Sequence, residues 1–515
     1  MATVQLRHAW PQVAVCVGFV LVGINRIMCA IHETATEEKA DNITKAVNCL
    51  AFAVLGAGCL LWPYLSSLVS KPSDTKHDDG PPGATEAPAS NEDVEAAQAE
   101  TDAAAPKPKR AKVYYLTHMK TILTFVVVTH HVVGSFGQIA GDGTGGIQTS
   151  ADPSSVLYKV SGFILGADQN YFMAAFFLVS GIFCPKSLDR KGFRDYVLDK
   201  LVRLGGPFII YFMVLGPLLN VWTRAYAGLG VGSYSPNPGT TWFVFWLLNY
   251  SILYAIIAQV MPVIRFKMPN SVLLTVGGFV FGVVYCAVNM TPLGGGAPWN
   301  GFDLMNQWQY GLSIYIPFFA AGVIGGRNGW LESIESMSRW CKWTLRVIVG
   351  GLLLLQLLDN FHVLPWNPEG LGWLWNGLFH GVYPVGMTLM QMQLFHEFLN
   401  INTKFLGAVG VAAYAVYVIQ PWFLAFWTMI YIEILKAAHV PISFAYDDYF
   451  VIFCAGACPA SIGENKYNPE WDTNEWRLGS GILFGGIITV FVLAQLTVWP
   501  AAYYLRKLPV LNKML

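Results

Sequence analysis

Apolar residues in this chain gather into long uninterrupted stretches, not the period-two alternation of a half-buried strand. A helix of roughly 20 apolar residues crosses the ~30 Å hydrocarbon layer of a bilayer. Stretches of this kind occur near 8–30 and 45–69, and again near 114–137, 164–184, 204–222, 241–261, 271–290, 308–326, 344–359, 372–395, 405–433 and 480–505. The pattern predicts an all-α polytopic membrane helix bundle, with two N-terminal transmembrane helices and about ten core ones. No internal repeat is evident. Between the two groups, 70–110 is rich in Pro, Ala, Asp and Glu and almost free of large apolar residues. Such a segment cannot bury enough surface to offset its ordering entropy, which predicts a disordered linker. The expected organisation is an N-terminal helix pair over 1–69, the linker over 70–110 and a transmembrane domain over 111–515. The first apolar stretch reads as a retained helix and not a signal peptide: its charged start is weak, no clean A-x-A-like site follows, and it is long enough to span.

Composition agrees with a lipid environment. Hydrophobic residues make up 54% of the chain and charged residues 12%, about half the roughly 25% charge of a soluble domain. The 18 Trp include many near the ends of apolar runs, where amphipathic rings favour the headgroup region. Net charge is zero and no basic tract marks a nucleic-acid partner. Most of the nine Cys lie inside apolar runs, as small hydrophobes. Only Cys454 and Cys458 lie close together, and sequence alone cannot fix the geometry a disulfide needs.

Positive charge sets orientation. The segments 185–203, 262–270, 327–343 and 396–404 and the C-terminal tail carry Lys or Arg, whereas 138–155, 291–307 and 360–371 are nearly free of them. Lys107, Lys109, Arg110 and Lys112 place the linker on the same side. Both termini and the linker are therefore expected in the cytoplasm, with the choice between plasma membrane and endomembrane open. The sequon Asn42-Ile43-Thr44 then falls outside, as does Asn289-Met290-Thr291. The 434–479 region, acidic and aromatic, is the longest outer excursion and suits either an acceptor-binding element or a plain cap.

Ionisable groups in a bilayer persist mainly where they face a cavity or a partner. His130 and His131 end an apolar run that starts after Lys120. Helical neighbours point about 100° apart, so the two imidazoles cannot face one cavity together. Two readings stand: a structural histidine bonded to a neighbouring helix, or a group that takes a proton from an attacking hydroxyl. A second constellation runs from Lys186 to Arg203. If it is helical, Lys191, Asp195, Asp199 and Arg203 form an i, i+4 ladder. Arg190 and Arg194 would then share a face with no acid in reach. Two free guanidiniums suit a multiply charged anion, although a basic loop that fixes topology is an equal reading. Asp168, Gln169 and Asn170 mark a membrane entrance, and His380 suits a satisfied core position. His396 with Glu397, and Asp359 with His362, read as solvated edges. No HExxH, GxSxG, Walker loop or zinc-spaced Cys/His set is present, so no metal is expected.

At these two segments the chain resembles the acyltransferase 3 family of integral membrane acyltransferases, especially its glucan-biosynthesis-protein-C-like branch. The resemblance rests on a basic residue, ten intervening residues and a histidine (Lys120 to His131), and on the R-x-x-x-R of Arg190 to Arg194 following Phe176-Phe177-Leu178-Val179-Ser180-Gly181. Leu201-Val202-Arg203-Leu204-Gly205-Gly206-Pro207-Phe208, Trp242-Phe243, Phe318 to Gly322 near Arg327, and Tyr414 to Tyr417 before Pro421 add to it. The sequence departs from the family pattern at Thr117 and His118, where an acid commonly stands, and at Gln420, where the family often has histidine. The resemblance implies a ten-helix enzyme that takes acyl-CoA as donor and acylates a hydroxyl, often of a carbohydrate. By the same resemblance, Arg190, Arg194 and Lys120 would bind the donor. His131 would be catalytic as base or acyl carrier, with His130 beside it. A transporter of a small polar or carbohydrate solute is the competing expectation, and a membrane-bound O-acyltransferase of the other intramembrane-histidine type fits less well.

Overall fold

The computed structural model describes residues 113–138, 146–230, 232, 234, 236–289, 308–363, 368–447, 450–458, 476–509 and 511–515. The expected N-terminal helix pair, the linker and the Asn42 sequon lie outside them. A spanning segment has no water to satisfy its backbone, so it must pair its own N–H and C=O groups. Helices accordingly stand at all ten predicted core positions: α1 (Tyr114–Phe136), α2 (Val156–Gln169) bending into α3 (Phe172–Lys200), α4 (Gly206–Ile210) running into α5 (Gly216–Tyr226), α6 (Trp242–Val260), α7 (Ser271–Asn289), α8 (Trp308–Asn328), the short α9 (Trp330–Glu335), α10 (Arg339–Asn360), α11 (Pro368–Gly377) leading into α12 (Tyr383–Phe398), α13 (Lys404–Ala437), α14 (Ser480–Leu505) and the short α15 (Leu511–Met514). Six of these stretches are long and apolar enough to cross a membrane alone, Lys404–Ala437 and Ser480–Leu505 among them. The π-helical turns Leu201–Gly205, Tyr211–Leu215 and Leu378–Val382 sit inside the crossings that contain Pro207, Pro217 and Pro384. Hydroxyl caps fix several starts: Ser155, Ser338 and Thr403 each accept a bond from the backbone N–H three residues on.

Two adjustments to the sequence reading follow. The crossing near 164–184 is preceded by a separate helix from Val156. Asp168 therefore sits at a helix–helix junction, half-buried, with Gln169 exposed beside it. The excursion after α13 also carries strands: β2 (Ile442–Asp447) pairs antiparallel with β3 (Phe450–Ala455), and β3 pairs in parallel with β1 (Ile147–Gln148). This small sheet caps one end of an otherwise helical molecule, and Cys454 and Cys458 are joined by a disulfide within it.

Aromatic rings fill the core. Phe177 of α3 lies 4.6 Å from Phe243, 5.3 Å from Tyr250 and 4.9 Å from Tyr315, ring to ring. In lipid the hydrophobic effect does not drive helices together, so close packing must, and small residues permit it. On α8, Gly322 passes so near α3 that an added Cβ would stand 2.1 Å from the Leu178 carbonyl oxygen. Gly326, one turn on, meets the Ile182 carbonyl in the same way. This contact fixes the end of α8 beside the end of α3, and the candidate site depends on it.

Candidate active site

Lys120 and His131 are eleven residues apart on one unbroken helix. At 100° per residue that is three turns plus about 20°, so both side chains fall on one stripe about 16 Å long. Near its start the Lys120 ammonium lies 5.2 Å from the Phe183 ring of α3, and Lys200 is close enough to act on it electrostatically. At the far end His131 is buried, 8% exposed, and held within protein. His130 points elsewhere: its ring is edge-on to that of His131 at 5.5 Å and packs 5.3 Å from Phe172. The neighbouring imidazoles thus diverge as helical geometry requires.

The N-terminal end of α1 is tightly moored. His118 bonds the Ile401 carbonyl through Nε2 at 2.9 Å, Tyr115 donates to Glu335 at 3.0 Å, and the Tyr115 N–H bonds Asn400. His118, at the position where an acid is usual, is therefore an anchor. Nearby, Glu397 accepts from Lys342 at 2.8 Å and from Arg346 at 2.5 Å. These contacts, the Lys342 hydrogen bond first, hold its carboxyl at about 2, below the ordinary 4.5. Glu397 is exposed at the end of α12, as a solvated edge should be, and in addition it ties α12 to α10, while the half-buried His396 ring stands edge-on to Tyr115. Asp359 and His362 do end α10 at the surface, with His362 exposed.

The arginine segment differs from the helical expectation. Gly192 takes φ +74° and ψ 169°, which breaks α3 between Arg190 and Arg194. The two guanidiniums consequently do not share one helical face; they flank a bend. The i, i+4 ladder loses its first rungs for the same reason and keeps its last. Lys191 passes over Asp195 to reach Asp199 at 2.7 Å, and Asp199 also meets Arg203 at 3.6 Å. Asp189 pairs instead with Arg327 of α8 at 2.5 Å, and Arg327 donates twice to the Tyr254 hydroxyl. Arg190 and Arg194 are exposed, and neither forms an ion pair among the described residues. The arrangement thus consumes the acids Asp189 and Asp199 in pairs with other cations. Arg190 and Arg194 stay exposed on either side of the bend.

Sequence reasoning missed the Arg327–Asp189–Tyr254 junction, although a lone arginine after Gly325-Gly326 at the end of an apolar run was a visible signal. Gln420 is also informative. It is fully buried, and neither amide atom has a hydrogen-bond partner among the described residues. α1 and α13 start together and run in parallel, with Gly410 against Thr117 and Thr121. Ten residues, about 15 Å, then bring Gln420 to the depth of the histidines. His380 packs 5.3 Å from the Tyr285 ring. An apolar cavity of about 360 Å³ lined by Pro207, Ile210, Val418, Trp422 and Leu515 touches neither His131 nor the arginines.

A model of the acyltransferase 3 family, described as an acyltransferase domain, matches residues 113–494. No curated protein and no solved structure matches the chain.

Proposed function

Because the chain belongs to the acyltransferase 3 family and is an integral membrane acyltransferase, we propose that it moves a short acyl group, such as acetyl, from acyl-CoA to a hydroxyl of a carbohydrate or other acceptor. The observation that carries this reading is the stripe on α1: a buried imidazole at one end, and at the other a lysine packed on Phe183 of α3, the helix that leads on to two exposed arginines with no ion pair among the described residues. Arg190 and Arg194 bind the donor phosphates, Lys120 adds positive charge at the mouth, and the acyl end threads along the stripe towards His131. The distribution of Lys and Arg supports a cytoplasmic donor side, since these residues mark the inner face.

His131 takes the proton from the acceptor hydroxyl as its oxygen attacks the thioester carbonyl. The C–S bond breaks, the acyl group stays on the acceptor oxygen, and the departing thiolate receives the proton from the imidazolium. In the acyl-carrier variant, His131 attacks first and the acceptor then displaces it. His130, turned towards Phe172, fixes the position of the pair. Purified protein supplied with acyl-CoA should release CoA over many turnovers only when an acceptor hydroxyl is present, and His131→Ala should abolish this without loss of folded protein. Full transfer by folded His131→Ala overturns the reading. Solute flux in liposomes without CoA release would favour the transporter alternative.

A further inference from the structure

The feature that the proposed reaction leaves unused is the junction of α3, α6 and α8 beneath the arginine bend. Asp189 directly precedes Arg190 and is half exposed. Left alone, it would pair with Arg190 or repel an incoming phosphate. Arg327 prevents both. Its Nη1 meets Asp189 at 2.5 Å, while Nε and Nη2 grip the Tyr254 hydroxyl at 3.2 and 2.9 Å. Its own position is set by backbone: Gly326 and Gly322 let α8 press on α3, and Asn328 bonds the Ile264 carbonyl and the Phe266 N–H. Beyond the bend, Lys191 and Asp199 fasten the other side at 2.7 Å. The turn at Gly192 is thus pinned on both flanks, and the two arginines stand between the pins.

Resting on the donor-binding reading above, we propose that Arg327 is a positioning residue. By holding and neutralising Asp189 against Tyr254, it presents Arg190 and Arg194 to the anion without touching it. A guanidinium serves in full where an ammonium serves in part, because three donors must reach two partners in fixed directions.

The test uses the full chain in lipid nanodiscs with CoA as probe, titrated calorimetrically. Arg327→Gln should weaken CoA binding about five- to tenfold by freeing the Asp189 charge. Asp189→Asn, which loses the pin but leaves no repelling charge, should weaken it less, about twofold. The double variant should do no worse than Arg327→Gln, since both act through one coupled interaction. Turnover at saturating donor should stay near that of the parent, and Arg327→Lys should recover part of the loss by keeping the ion pair. If Arg327→Gln yields no folded protein, Tyr254→Phe preserves every charge and should weaken CoA roughly twofold. Losses that multiply in the double variant would mean that Arg327 contacts the donor itself and would overturn the proposal. So would unchanged affinity in Asp189→Asn or Tyr254→Phe while Arg190→Gln weakens binding. Should Arg190→Gln leave CoA affinity intact, the donor-binding reading itself fails, and the positioning role with it.

Discussion

The two ends of the bundle are held differently. At the basic rim, helices are joined side chain to side chain through Arg327–Asp189, Lys191–Asp199, Lys342 and Arg346 to Glu397, and Tyr115 to Glu335. At the capped end, side-chain bonds such as Tyr226 to Glu433 and Asn220 to Tyr446 are reinforced by links the rim lacks among the described residues: the β1–β3–β2 ladder and the Cys454–Cys458 disulfide. Charge pairs can exchange partners and respond to salt and pH, whereas strand pairing and a disulfide do not. The rim that is proposed to admit a polyanion is therefore the adjustable end, and the capped end is the fixed one. α1 joins the two, moored at the rim by His118 and packed under the cap by Phe136, which meets Phe453 ring to ring at 6.0 Å.

The largest expected effect lies on the connecting helix. His131→Asn should lower acyl transfer roughly 10²- to 10⁴-fold with the thermal midpoint unchanged; a loss matched by falling stability would make the residue structural. Next is the helix contact that supports the rim. Gly322→Val places side-chain atoms against the Leu178 carbonyl and should cost about 1–3 kcal/mol, read as a lowered midpoint together with weaker CoA binding. At the capped end, Cys454→Ser should cost about 2 kcal/mol on the loop-closure model and leave donor affinity as it was. A donor effect there would erase the distinction between the ends.

The smallest effect is one of pH. Glu397 titrates lower in the folded protein than in the unfolded chain. Its contribution is present above the ordinary value of 4.5 and fades as pH falls towards about 2. Thermal midpoints taken downward from pH 5 should drop less steeply in Glu397→Gln than in the parent. Equal slopes would assign the acid sensitivity to other carboxylates.

The helices at the ten core positions were legible because a bilayer demands runs of apolar residues, and nothing subtler is needed to find them. Lys120 and His131 were legible for a related reason: a regular helix turns an eleven-residue spacing into a shared face. The arginine bend was not, because Lys191-Gly192 stands in a segment whose charge spacing otherwise favours helix. A glycine there was a warning that periodicity could not weigh. The pairing of Asp189 with Arg327 spans 138 residues and follows from helix packing, to which local spacing is blind. The strands left a partial trace. Ile442, Phe444 and Tyr446 alternate with smaller or polar residues, as a half-covered strand should, but Phe450 to Ala455 is continuously apolar and resembles the start of another span.

The sheet also dictates an order of assembly. β1 lies between the first two core helices, yet its partner strand is made about 300 residues later. At 5–20 residues per second a ribosome needs roughly 15–60 s to cover that interval. During that time α1 and its histidines must rest in the membrane with the end nearest β1 unlatched. Closure waits for nearly the whole polypeptide, so a chain truncated before residue 451 would insert its helices and never seal that end.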